Sequence, residues 1–495
     1  MNPRLLRLYA IPLMRQVAIV VFISIIGVMV GYLAAFPGQY RLLIALTAFA
    51  CLFAVSLRKP VLVLFVLIAL LPFTGVIRRL LIPIAGWTSY DPLLLVSPVL
   101  ILILGMHWFV KKVIFNREPI AAVTDTRLFK LSVLFLLLSV IQIFNPLQGS
   151  LLVGAGGVLY YIVPLLWMVL SKQYINVRHM RILYFVVYLI GLVVAVYGLK
   201  QVLIGFAPFE LEWVEVGGYE ALMVGGRLRP FSTFPSSQEF ASYLSLSIVI
   251  GWVQLLRGRW ISRILIGLSL PVLVYAMFMV SARTPVILTI LSLTIITLFM
   301  YRSVRARVLV VIIGIGVFAL GYQALSSLTD SEDPLISHQV NGLINPWDEE
   351  HSTLSLHTNY FMEGIIKGFQ VPIGHGLGSS TQAAKTLGSG GKNTEYDISD
   401  IMVSHGLIGG VLYAAMMIMI IRLFFSLPKH EPMHVALTGT LFATLGYWMI
   451  GELTSISSVL WTSIGYLDNV MKHHPWNELK RKNRLSGASE TVRNG

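Results

Sequence analysis

Three arginines sit in short polar runs between apolar stretches. Arg227 and Arg229 lie in Gly-Gly-Arg-Leu-Arg-Pro-Phe-Ser-Thr-Phe-Pro (225–235), and Arg283 lies in Val-Ser-Ala-Arg-Thr-Pro (280–285). A guanidinium stays charged at any physiological pH and presents a planar fork of donors that matches phosphate oxygens. Forks from two separate runs, brought together, would grip a diphosphate. The competing role for each is a lipid-headgroup anchor, and for Arg78 and Arg79 that role is favoured. A second group could move protons: His351, His357, Glu363, His375, Glu395, Asp397 and Asp400. Histidine accepts a proton near neutral pH, and a carboxylate does so when partly desolvated. The competing reading of each is a solvated loop side chain. His351, His357, Glu395 and Asp397 are the candidates for catalysis, and Arg227, Arg229 and Arg283 for diphosphate binding. The spacing of His351 and His357 suits no single helix face, so a metal site is not expected; nor is a cofactor.

The elements that carry these residues are membrane helices. The 495 residues are 56% hydrophobic and 12% charged, against about 45–50% and about 25% in soluble domains. A soluble core could not hide that much apolar surface. The single cysteine, Cys51, lies in an apolar run and excludes a disulfide framework or a cysteine metal site. Arg4, Arg7 and Arg15 precede Val17–Phe36, a stretch longer than the apolar part of a cleaved signal and long enough to span a bilayer. It reads as a retained first helix. Further candidate spans fall at 42–57, 61–77, 92–110, 127–144, 157–171, 182–204, 238–256, 262–280, 284–301, 308–325, 398–421, 435–451 and 455–467. The last pair could form a re-entrant hairpin. The chain is therefore expected to be an all-α polytopic membrane protein of about 12–14 transmembrane helices with one large external loop. In chain order come helices over 1–325, the loop over 326–396, further helices over 397–470, and a polar tail over 471–495.

Lys and Arg in short loops set orientation. With the N-terminus inside, most of the 37 basic residues fall on the cytoplasmic side, including Arg58, Lys59, Lys111, Lys112, Lys172, Arg257, Arg305 and Arg422. The net charge of +14 is then a topology signal, and nucleic acid is not an expected partner. Two external loops stand out, 205–237 and 326–396. Within the second, Leu354–Phe369 has apolar residues near helical spacing and is expected to form an amphipathic helix on the outer membrane surface. Gly388–Asn393 reads as a flexible turn. Pro372-Ile-Gly-His-Gly-Leu-Gly378 lacks the spacing and context of a nucleotide loop, and its glycines suit tight backbone approach.

Four of these pieces, in order, resemble the O-antigen ligase and Wzy-type polysaccharide polymerase superfamily of bacterial inner-membrane proteins. They are Arg229-Pro-Phe-Ser-Thr-Phe-Pro-Ser-Ser-Gln-Glu-Phe-Ala-Ser-Tyr243, Ser281-Ala-Arg-Thr284, Val371-Pro-Ile-Gly-His-Gly-Leu-Gly378, and Thr394-Glu-Tyr-Asp followed by Gly406-Leu-Ile-Gly409. The resemblance covers roughly 180–425. It implies transfer of a glycan from an undecaprenyl diphosphate carrier to a hydroxyl, with neither metal nor cofactor. Arg229 and Arg283 would hold the diphosphate, and a loop histidine or acid would deprotonate the acceptor. It also implies an inner-membrane location with both termini cytoplasmic and the large loop periplasmic. A chain-length regulator and a flippase would be partners, besides membrane lipid. Ligases commonly carry His-Asn where Asn393-Thr-Glu-Tyr-Asp397 stands here, which favours a polymerase. A ligase and a lipid-linked oligosaccharide flippase are the alternatives.

Overall fold

The structure, a computed structural model, describes residues 24, 27–117, 126–217, 222–301, 303–347, 354–387, 394, 396–427, 431–449 and 453–472. Much of the stretch 17–36, the turn 388–393 and the tail from 473 onward lie outside the described residues. Helices dominate: α1 (Tyr40–Ser56), α2 (Pro60–Leu70), α3 (Thr74–Leu80), α4 (Val96–Phe109), α5 (Arg127–Gln142), α6 (Leu151–Tyr174) and α7 (Val177–Leu203) come first. Then follow α8 (Pro208–Gly217), a hairpin of β1 (Met223–Val224) and β2 (Arg227–Leu228), α9 (Ser237–Arg257), α10 (Trp260–Met279), α11 (Arg283–Met300) and α12 (Val304–Ser326). The long loop contains α13 (Pro334–Ile344) and α14 (Leu354–Gln370), and the chain closes with α15 (Tyr396–Phe425), α16 (Pro432–Ala443) and α17 (Thr454–Lys472).

Among the described residues, 10 helices are long and apolar enough to cross a membrane. The chain is a multi-pass membrane protein. The smaller number than the expected 12–14 has physical causes beyond the residues not described. At about 1.5 Å per residue, α5 with its 16 residues falls short of a hydrocarbon core of about 30 Å. The apolar stretch 435–451 is likewise not one helix: α16 stops at Ala443 after 12 residues.

The core is built on α6, α7, α9, α16 and α17. α9 is buried along most of its length, from Ser237 to Val253. α17 packs closely on α6, and Gly465 permits it, because a Cβ there would overlap the Met168 carbonyl. Hydroxyls bridge the helices. The Tyr184 hydroxyl donates to Thr440 Oγ1 at 3.0 Å and lies 3.1 Å from Ser463 Oγ. At the end of the bundle carrying Lys172, its ammonium donates to Asp468 at 2.6 Å and lies over the Phe129 ring.

The Gly-rich run of the long loop folds back into the bundle where α15 breaks. Gly406 has φ +68° inside the helix, so the carbonyls before it lose their helical donors. The loop replaces them: His375 N–H donates to Val403 O at 2.9 Å and Gly376 N–H to Ser404 O at 3.1 Å. In return Leu407 N–H donates to Pro372 O at 3.0 Å. A Cβ on Gly374, Gly376, Gly378 or Gly406 would strike backbone or Gln148. Gly406→Ala should therefore cost at least about 1–3 kcal/mol in backbone strain alone, read as a lower apparent melting temperature of the detergent-purified protein.

The amphipathic helix forms over Leu354–Gln370 as the spacing requires. It packs on α15 through its glycines, Gly364 against Ser399 and Gly368 against Met402. Met362, Ile366 and Phe369 remain exposed, which leaves an apolar stripe on this helix.

Candidate functional site

The segment 229–236 leads into α9, and its backbone is held from three sides. Pro72 lies in the 3-10 turn (Leu71–Phe73) that joins α2 to α3. There Gly75 lets the backbone of Thr233 and Phe234 approach, Val76 N–H donates to Thr233 O, and the Thr233 hydroxyl donates to Pro72 O. The Arg79 guanidinium, fully buried, donates to Phe234 O at 2.7 Å and Ser232 O at 2.5 Å. It also stacks on the rings of Trp213 and Phe231. From α7, the Gln201 carbonyl accepts from Phe231 N–H and Ser232 N–H, while its amide donates to Glu210 at 2.6 Å. Such a cradle allows Ser232 its positive φ of 50°. Arg78 and Arg79 are thus not headgroup anchors: both are buried, and Arg78 donates to Asp91, which also pairs with Arg41.

The cradle fixes Arg229 at the mouth of the bundle. Arg229 N–H donates to Leu222 O, and its Nε donates to Val280 O at 3.0 Å, immediately before the Ser281–Arg283 turn. The two arginines are close enough to feel each other. Burial, and then the neighbouring Arg283 charge, lower the Arg229 guanidinium to about 10; it stays charged at neutral pH.

A third loop completes the cluster. Asp333 caps α13, accepting from Leu335 N–H at 3.0 Å, and Pro334 occupies the first helical position. One turn in, His338 meets the Ser281–Arg283 turn. Arg283 Nη2 lies 3.0 Å from His338 Nε2 and also donates to the His338 carbonyl, while Ser281 Oγ lies 2.8 Å from Nδ1. A guanidinium can only donate, so Nε2 must hold a lone pair. The ring proton then sits on Nδ1 and is donated to Ser281 Oγ. Gly342, one turn further along α13, leaves room for the guanidinium, because any Cβ there would overlap Arg283. Gly342→Ala should displace Arg283 while the fold survives, and weaken pyrophosphate binding by about tenfold or more, the worth of one lost charge-assisted hydrogen bond. Isothermal titration calorimetry checks this.

The other sequence candidates are placed as follows. Arg227, expected in the diphosphate set, instead forms an ion pair with Asp333 and ties the β-hairpin to α13. Asp397, expected as a base, is buried. Its carboxylate accepts from the Tyr413 hydroxyl at 2.7 Å, Trp448 N–H at 2.5 Å and Met449 N–H at 3.0 Å. Those bonds hold the non-helical stretch between α16 and α17 and give Asp397 a structural task. Asp400 accepts from the Tyr161 hydroxyl at 2.7 Å and from Thr394 at 2.9 Å. His357 lies half-buried on the first turn of α14, and His375 bonds to Val403 O. Glu363 pairs with Lys367 one turn on. His351 and Glu395 lie outside the described residues. Among the described residues no three of His, Cys, Asp and Glu converge on a point that could hold a metal ion.

No family model, curated protein or solved structure matches this chain. Beside the β-hairpin lies an open crevice of about 590 Å³, lined by Leu203, Phe206, Leu211, Met223, Arg227 and Leu228 among others. Its walls are mainly apolar, with Gln201, Glu215 and Arg227 as the polar and charged members.

Residues that matter here and carry no sequence candidacy are His338, Arg79 and Gln201. For His338 a signal existed: Asp333-Pro334 is a helix start of the common kind, a capping acid followed by proline. It places a helix, and hence His338, inside the long loop.

Proposed function

We propose that the chain joins oligosaccharide units carried on a lipid diphosphate, such as undecaprenyl diphosphate, into a longer polysaccharide at the outer face of a bacterial inner membrane. The observation that carries this reading is the juxtaposition of Arg229 and Arg283 from separate loops. Guanidinium forks from two loops at one end of the bundle suit an anion with several oxygens, such as a diphosphate. The same pair stabilises the diphosphate as it leaves. In the reaction an acceptor hydroxyl oxygen attacks the anomeric carbon and the bond from that carbon to the phosphate oxygen breaks. The hydroxyl proton passes to a base of the long loop, for which His357, His351 and Glu395 are the candidates. The lipid diphosphate departs with the bonding electron pair. The crevice beside Arg227 offers an apolar wall for the first isoprene units. The bias of Lys and Arg supports an orientation with both termini in the cytoplasm and the long loop outside.

A deletion strain tests the reading. Single carrier-linked repeat units should accumulate on the outer leaflet with the long polymer lost. Accumulation on the cytoplasmic leaflet would mark a flippase, and intact polymer lacking only its lipid acceptor would mark a ligase.

A further inference from the structure

The end of the bundle away from Arg229 and Arg283 carries a second pair of arginines, which the reaction above does not use. We propose that Arg127 and Arg422 form a binding site for an anionic phospholipid. Its phosphate is held between the two guanidinium groups, and an acyl chain lies along the apolar residues beside them. The proposal is independent of the glycan-transfer reading.

The short helix α5 makes the room. Its 16 residues cover about 24 Å, less than a hydrocarbon core of about 30 Å. One end is held at the long loop, where the Gln142 amide donates to Ile373 O at 2.7 Å. The shortfall therefore falls at the other end, where α5 begins with Arg127. There a recess of about 290 Å³ lies between α5, α15 and α17, lined by Arg127, Leu128, Met419, Arg422, Leu423 and Asp468 among others. Arg422 stands in the last turn of α15, the end of that helix away from the long loop.

The charges in the recess favour an anion. Both arginines are exposed, and among the described residues no ion pair or hydrogen bond engages either guanidinium. Asp468 is the one acid in the lining. It accepts from the Lys172 ammonium at 2.6 Å and from the Thr126 hydroxyl at 2.7 Å, so its charge is matched and the two arginines set the field. A guanidinium fork suits phosphate oxygens. A zwitterionic headgroup would bring its own cation to two cations, and an anionic one would not. Basic residues gather at this side of the membrane in any case. What sets this pair apart is a shared recess with an apolar wall, and basic pockets between membrane helices hold anionic headgroups. A soluble phosphate would use the arginines alone, whereas Leu128, Met419 and Leu423 beside them suit a hydrocarbon chain.

The test is native mass spectrometry of the full chain in detergent, titrated with dioleoyl-phosphatidylglycerol or dioleoyl-phosphatidylcholine. The wild-type chain should bind its first phosphatidylglycerol at least about tenfold more tightly than its first phosphatidylcholine, the preference that two cations beside an anionic headgroup supply. The double replacement Arg127→Gln, Arg422→Gln should bring the two lipids to near-equal affinity. The double replacement Arg259→Gln, Arg263→Gln removes two exposed arginines from the turn between α9 and α10, outside the recess, and should leave the preference intact. If the first pair of replacements does not fold, Ser426→Trp decides. Ser426 also lines the recess, so an indole there fills it while both arginines stay, and the preference should again be lost. Equal binding of the two lipids by the wild-type chain overturns the proposal. So does a preference that survives the loss of Arg127 and Arg422, or one lost equally with Arg259 and Arg263. Glycerol 3-phosphate that binds as tightly as phosphatidylglycerol would mark a site for soluble anions and overturn the lipid assignment.

Discussion

Replacing Arg229 or Arg283 by alanine should lower the rate of glycan transfer by about 100–1,000-fold each, the cost of removing one donor aimed at developing charge. The loss should fall mainly on the chemical step, because the charge on the diphosphate grows as the bond to the sugar breaks. The double replacement should cost less than the product of the two. Once one arginine is gone the other no longer suffers its repulsion, and residues that act as a unit are not additive. Lysine at either position should recover only part of the rate, because an ammonium is a point charge without the fork. Arg227→Ala makes the control. Its charge is taken up by Asp333 at the surface, so it should lower activity far less than the other two. Initial rates of carrier-lipid diphosphate release by the purified variants read all four. Equal losses for Arg227 and Arg229 would remove the ground for singling out the Arg229–Arg283 pair.

The second large effect concerns stability. Asp397 holds two backbone amides and the Tyr413 hydroxyl inside the bundle. Alanine there leaves the amides of Trp448 and Met449 without that acceptor, at about 1–3 kcal/mol for each orphaned donor. Asp397→Ala should therefore lower stability by about 2–6 kcal/mol in total. It should reach the membrane in small amount and lose its monodisperse peak on mild heating. Asp397→Asn keeps one acceptor oxygen and should lie between. A general base would behave otherwise: Asp397→Ala would then be fully folded and inactive. Fluorescence-detected size exclusion after a heating series, run beside the rate assay, separates the two outcomes.

Apolar runs with flanking basic residues place most of the long helices to within a few residues, because a helix in lipid must be continuous, long and apolar. Sequence spacing also marks α14, whose apolar residues recur at helical period. The convergence of Arg229 and Arg283 follows from topology once both lie in loops at the same end of the bundle. What the sequence hides are bonds whose two halves are far apart in the chain. Arg79 donates to Phe234 O across 155 positions, and nothing near Arg79 announces a buried carbonyl in place of a lipid headgroup. Asp397 serves Trp448 and Met449 in the same way. By hydropathy 435–451 is one span, because the pattern cannot register that a distant carboxylate makes a helix break tolerable. His338 stayed hidden for a different reason. Its helix is short, and it matters for what it touches in another loop.

The most direct measurement of the central claim is made on the purified chain in nanodiscs, supplied only with a lipid-diphosphate oligosaccharide. Products are sized by gel and the lipid diphosphate released is counted. Chains longer than the donor, in step with lipid diphosphate release and lost together in Arg229→Ala and Arg283→Ala, are the predicted result. An unchanged donor with the folded wild-type chain, or polymer formed equally well by both variants, would contradict it.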